Sequence, residues 1–167
     1  MKTRVLIPAF AACLAFTAAH AVEFQRWKTA DGVTITLVER HELPIVNMQI
    51  TFKGAGQIAE HKPDLAAFTA TMLSSGTEKY GEEALRDESN RIGVTVSAAA
   101  SPENTTISFA SLSRRQNLSD GLKLANQIIA RPKFDPAVLI RTKGQALTSL
   151  KQSLSDPGFL AGRAVTL

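Results

Sequence analysis

The sequence predicts an α+β domain in which helices cover one face of an antiparallel sheet. Three observations carry this. Segments with the two-residue alternation of a half-buried strand and segments with the apolar spacing of a helix run in the order three strands, two helices, two strands, then helices. The strands are short and bounded by turn-forming residues, so successive ones can pair as hairpins. The composition, 44% apolar and 20% charged over 167 residues, is that of an ordinary globular chain with room for one core.

Taken in order, Phe24 to Lys28 reads as a strand. Asp31-Gly32 is a strong turn signal, and Val33 to Val38 alternates after it. After Pro44, Ile45 to Phe52 makes a third strand, with Val46, Met48, Ile50 and Phe52 on its more apolar face. Gly54-Ala55-Gly56 breaks it, and a polar loop leads to Pro63. Asp64 stands where a helix N-cap belongs, ahead of a helix through Ser74. A second helix runs from Glu82 to Ile92, and Gly93 suits its C-terminal stop. Val94 to Ala100 and Thr105 to Leu112 alternate as strands around the turn Ser101-Pro102-Glu103-Asn104. Leu118, Leu122, Ala125 and Ile129 mark a helical stripe that ends at Pro132. Asp135-Pro136 opens a helix to about Leu154, and Asp156-Pro157 opens another that is still amphipathic at Leu167.

The first 21 residues stand outside this domain. Lys2 and Arg4 precede the apolar run Val5 to Thr17, and Ala19-His20-Ala21 is a small-x-small cleavage site. That order is a secretory signal peptide, too short to span a bilayer. It implies an exported protein, with the bacterial periplasm as its compartment. The only cysteine, Cys13, lies inside the leader, so the exported part can form no disulfide and offers no thiolate. Lys2 and Arg4 account for two of the 19 basic residues, which leaves 17 against 15 acidic ones. A balance so near neutrality gives no case for a nucleic-acid partner, and no later apolar run is long enough to cross a membrane.

The segment Asp64-Leu65-Ala66-Ala67-Phe68-Thr69-Ala70-Thr71-Met72-Leu73-Ser74-Ser75-Gly76-Thr77 resembles the zinc helix of the pitrilysin/insulinase peptidase family. That helix carries the inverted motif H-x-x-E-H, an apolar pair and a Gly-Thr end. The apolar frame Leu65, Phe68, Met72 and Leu73 is present, and so is Gly76-Thr77. The three chemical positions read Ala67, Ala70 and Thr71. The resemblance continues through Pro44 to Gly54, Arg91-Ile92-Gly93-Val94 and Phe134-Asp135-Pro136. By the same resemblance, the last zinc ligand, a glutamate, falls at Ser149, and a second family glutamate falls at Thr142. A catalytic zinc needs His, Cys, Asp or Glu donors and a carboxylate to take the proton of its water. Alanine methyls and neutral hydroxyls supply neither. Of the remaining histidines, His41 opens His41-Glu42-Leu43-Pro44-Ile45, which lacks the second histidine of a zinc motif, and His61 lies in a polar loop; both read as surface residues. Asn104-Thr105-Thr106, which has the form of a glycosylation acceptor, reads as turn chemistry.

The resemblance implies a metallopeptidase homologue that is inactive by itself, with no cofactor in this chain. Zinc is expected only in a catalytic partner, because the family contains pairs in which one subunit has the motif and its relative lacks it. Ser97, Ala98, Ala99 and Ala100 correspond to the family's substrate-binding edge strand, where backbone hydrogen bonds hold a peptide without special side chains. The implied role is a non-catalytic subunit that contacts peptide in a heterodimer. A scaffold without peptide binding is the alternative. The family likeness ends inside the first of two usual domains, so residues 22–167 read as a truncated first domain after a signal peptide at 1–21.

Signal cleavage after Ala21 should give a mature protein that begins at Val22. Mass spectrometry of the secreted product checks this; an intact Met1 terminus on exported protein would contradict it.

Overall fold

The structure is a computed structural model that describes residues 23–166. The leader expected at 1–21 lies outside the described residues. The chain divides after Leu43 into two compact units.

The first unit is a hairpin. β1 (Phe24–Lys28) and β2 (Thr34–Val38) pair antiparallel, with Phe24 opposite Val38 and Lys28 opposite Thr34. Gly32 takes a φ of 82°, and the Thr29 hydroxyl accepts a hydrogen bond from the Val33 N–H at 3.1 Å. The turn takes in Val33, so β2 starts one residue later than the alternation suggests.

The second unit holds β3 (Ile45–Lys53), α1 (Leu65–Leu73), α2 (Glu82–Ile92), β4 (Val94–Ala100), β5 (Asn104–Leu112), α3 (Arg115–Ala130), α4 (Pro136–Ser153) and α5 (Pro157–Thr166). Its three strands are antiparallel in the order β3-β5-β4. β4 and β5 form the expected hairpin, with Ala100 opposite Thr105. The Ser101 hydroxyl and N–H both donate to the Asn104 carbonyl at 2.8 Å, so this segment is turn chemistry. β3 does not pair with its sequence neighbour β4. It pairs with β5, Ile45 opposite Leu112 and Lys53 opposite Asn104. Local alternation cannot reveal that long-range choice. The expected single sheet is therefore two sheets among the described residues.

Alternation decides which face is covered. Leu85 and Ile92 of α2, Val94 of β4, Phe109 of β5 and Leu124, Ala125 and Ile128 of α3 form the buried core. On the other face Asn47, Gln49, Thr51, Thr95, Ser97 and Ala99 are exposed. α2 stops where Gly93 turns left-handed at φ 74° and donates to the Ser89 carbonyl, and the Asn117 amide donates to the Ile92 carbonyl at 2.6 Å. α4 starts as its sequence indicates, because the Asp135 carboxylate accepts from the Ala137 N–H at 2.9 Å. The hydrogen bond from Lys133, and then that from Ala137, hold the Asp135 carboxyl below the usual carboxylate range. Its capping contribution is therefore present at neutral pH and is lost as the pH falls through that lowered value.

The loop after β3 docks on the β4–β5 turn. Gln57 and Ile58 donate to the Ser101 and Pro102 carbonyls, and the Thr105 hydroxyl donates to the Ala55 carbonyl. Gly56 makes this approach possible. A Cβ there would stand 2.4 Å from the backbone of Asn104 and of Glu103. Gly56→Ala should therefore cost about 2–3 kcal/mol by forcing two backbone segments apart. Gly144→Ala, in open space on α4, should be neutral or stabilise by up to about 1 kcal/mol. Urea midpoints at unchanged m-value measure both.

Candidate functional site

The site is built around α1. Its N-terminus corrects the sequence reading: Asp64 makes no side-chain cap and adopts a left-handed φ of 64°. The Glu60 carboxylate caps the helix instead, accepting from the Asp64 N–H and the Ala66 N–H at 2.7 Å each. One carboxylate thus satisfies two orphan donors at the positive end of the helix. The reach from Glu60 across a proline turn is invisible to a rule that looks one residue ahead of the helix.

The end of α1 is locked to the start of α4. Gly76, at φ 143°, accepts from the Lys133 N–H at 3.1 Å. Thr77 forms a β-bridge with Pro132, and the Glu78 N–H donates to the Arg131 carbonyl at 3.0 Å. Thr77 is only 1% exposed, and its hydroxyl oxygen accepts from the Tyr80 N–H at 3.0 Å and the Lys79 N–H at 3.3 Å. The Gly-Thr pair after α1 is therefore a latch that joins both helices carrying the motif positions. Sequence reading saw the pair but not its work, because the partner strand lies more than fifty residues away.

Between these fixed ends α1 lies along β4 and approaches α4. Ala67 is half-buried, Ala70 is 1% exposed and Thr71 is exposed. The Thr71 hydroxyl donates to the Ala67 carbonyl one turn back, at 3.0 Å. On α4 the Thr142 hydroxyl donates to the Val138 carbonyl at 2.9 Å, and Ser149 is exposed. Two of the three hydroxyls at these positions are thus used within their own helices. Ala67, Ala70, Thr71, Thr142 and Ser149 do not fit a zinc ion, which needs imidazole, thiolate or carboxylate donors. Among the described residues no three His, Cys, Asp or Glu side chains converge as a metal site. His41 and His61 are exposed, and His41 lies 3.9 Å from Glu39.

β4 is an edge strand of the three-stranded sheet. Ser97 and Ala99 point to the open face, and Ala98 and Ala100 are half-buried toward the helices. A groove of about 320 Å³ runs beside β4, with Thr95 and Val96 on one wall and Glu82, Arg86, Ser89 and Asn90 of α2 on the other. Glu82 also accepts two hydrogen bonds from Arg141 of α4, at 2.8 and 2.7 Å, an α2–α4 tie with no signal in the sequence. A second groove between α2 and α3 is lined by paired charges, among them Glu88 with Arg91 and Asp120 with Lys123. The Arg91 hydrogen bond lowers the Glu88 carboxyl, and the Gln116 and Lys123 hydrogen bonds lower that of Asp120.

The sequence profile of the insulinase family, peptidase family M16, matches residues 37–160. A crystal structure of a peptidase M16 inactive domain from Pseudomonas fluorescens is similar, with a TM-score of 0.80 and 27% identity, over 86% of this chain and 35% of that one. The structure of a mutant of the ferredoxin protease FusC in complex with Arabidopsis ferredoxin has a TM-score of 0.72 and 17% identity, over 87% of this chain and 17% of that one. At that identity the second likeness concerns the fold alone. The chain spans about a third of the first of these structures and less than a fifth of the second. Comparison with curated proteins returned no match.

Replacing the latch hydroxyl tests its weight. Thr77→Val keeps the shape but leaves the partly buried Tyr80 and Lys79 N–H groups without their acceptor. The expected loss is about 1–3 kcal/mol, read from the chemical-denaturation midpoint. Thr77→Ser, which keeps the oxygen, should lose less.

Proposed function

Because this chain belongs to the insulinase family of peptidases, family M16, we propose that it is a non-catalytic, peptide-contacting subunit of a heteromeric zinc metallopeptidase in the cell envelope. The observation that carries the reading is a frame kept without its chemistry. The latch at Gly76-Thr77 and the β4 edge beside α1 are intact, while Ala67, Ala70, Thr71, Thr142 and Ser149 offer nothing to a divalent cation. The similarity to a Pseudomonas fluorescens domain described as inactive supports it.

In this role the chain binds peptide and leaves hydrolysis to a zinc-bearing relative. An extended peptide adds to β4 at Ser97 to Ala100, and main-chain hydrogen bonds supply the affinity. Edge addition asks nothing of the side chains that were lost. The polar open face, with Asn47, Gln49, Thr51 and Ser97, suits the wall of a wet chamber that peptides enter. The leader at residues 1–21 supports export to the periplasm. Assembly is supported by α4, which has no buried residue and turns Ile140, Leu147, Leu150 and Leu154 outward. The same apolar stripe favours the second reading, a scaffold subunit that assembles but binds no peptide.

Purified alone, the mature chain should hold far less than one zinc per molecule and cleave no peptide. Co-expressed with a zinc-bearing relative from the same genome, it should copurify and the pair should turn over. Stoichiometric zinc and hydrolysis by the lone chain would overturn the proposal. Binding of an extended peptide to the lone chain, lost when the peptide backbone is N-methylated, separates the peptide-contacting role from the scaffold.

A further inference from the structure

We propose that the groove between α2 and the edge of β4 selects peptides with an acidic side chain, and that Arg86 is the recognising residue, with Asn90 beside it. This rests on the peptide-contacting reading above and adds the chemical class of peptide.

A strand added to β4 projects alternate side chains, about 7 Å apart, toward the helical layer. Where that strand runs past Ser97 to lie beside Val94–Val96, it meets the groove of about 320 Å³, which is lined by the apolar Leu85, Val94 and Ile128 and by the polar face of α2. An apolar floor under a polar rim fits a side chain with a methylene stem and a polar head. The charges on the rim decide the head. Glu82 is held by Arg141 through two hydrogen bonds, so its carboxylate is spent. The Ser89 hydroxyl donates to the Leu85 carbonyl at 2.8 Å. Arg86 reaches only Glu83, at 4.0 Å, with both side chains mostly exposed, a contact too loose to engage the guanidinium. Asn90 follows Arg86 by one helical turn, so the guanidinium and the amide sit on the same face of α2 and both line the groove. Both can donate to one carboxylate, and arginine's planar fork suits that partner. Glutamate has the stem and the head the groove asks for; lysine would meet a like charge.

The test uses the full chain and three labelled nonapeptides of alternating threonine and valine with Glu, Gln or Lys at the centre, followed by fluorescence anisotropy. The Glu peptide should bind about three- to fivefold tighter than the Gln peptide, the scale of an exposed ion pair, and the Lys peptide weakest. Added salt should shrink the preference, and Arg86→Gln, an exposed change on α2 that spares the core, should abolish it. Equal binding of Glu and Gln peptides would sink the acidic preference and leave edge addition standing. Failure of all three peptides to bind would sink edge addition, and the preference with it.

Discussion

The rest of the second unit depends on one short stretch of backbone, the bridge between Thr77 and Pro132. Two main-chain hydrogen bonds across the bridge and the buried Thr77 side chain meet there. They fix the end of α1 against the end of α3, and through Lys133 the start of α4. On the family resemblance, α1 and α4 would carry the zinc positions, Ala67, Ala70 and Thr71 on the one and Thr142 and Ser149 on the other. Their ends are tied by a polar latch that uses none of these residues.

The replacements also suit the helices that carry them. Alanine has the best helix propensity, and a threonine hydroxyl that donates back to its own helix leaves no unsatisfied donor. Ala70 is buried, where a carboxylate would need a partner to offset its desolvation. Small neutral side chains remove that demand.

What the frame retains is a property of backbone. An edge strand presents hydrogen-bonding groups whatever its side chains are, so Ser97 to Ala100 can be small without losing the ability to pair. In the proposed role, selectivity would then come from the neighbouring α2, whose polar face lines a groove with Val94, Thr95 and Val96 of β4. α4 differs from both. Val138 and Leu139 in its first turn are half-buried, but Ile140, Leu147 and Leu150 face outward and no residue of the helix is fully buried, unlike a helix whose packing is complete within the unit.

Much of the architecture was legible in the chain because it is local. Alternation fixed which residues of β3, β4 and β5 face the helices; Gly93, Pro132 and Asp135-Pro136 fixed where helices stop and start. The absence of zinc donors at Ala67, Ala70, Thr71, Thr142 and Ser149 is likewise a matter of composition at given positions, which no folding can change. Pairings between distant residues were decided only by the tertiary structure: β3 beside β5, Thr77 against Pro132, Glu82 with Arg141. The physical reason is the same for each. A side chain's chemistry and a segment's periodicity belong to the residue and its neighbours, whereas a partner fifty residues away is chosen by the packing of the whole unit.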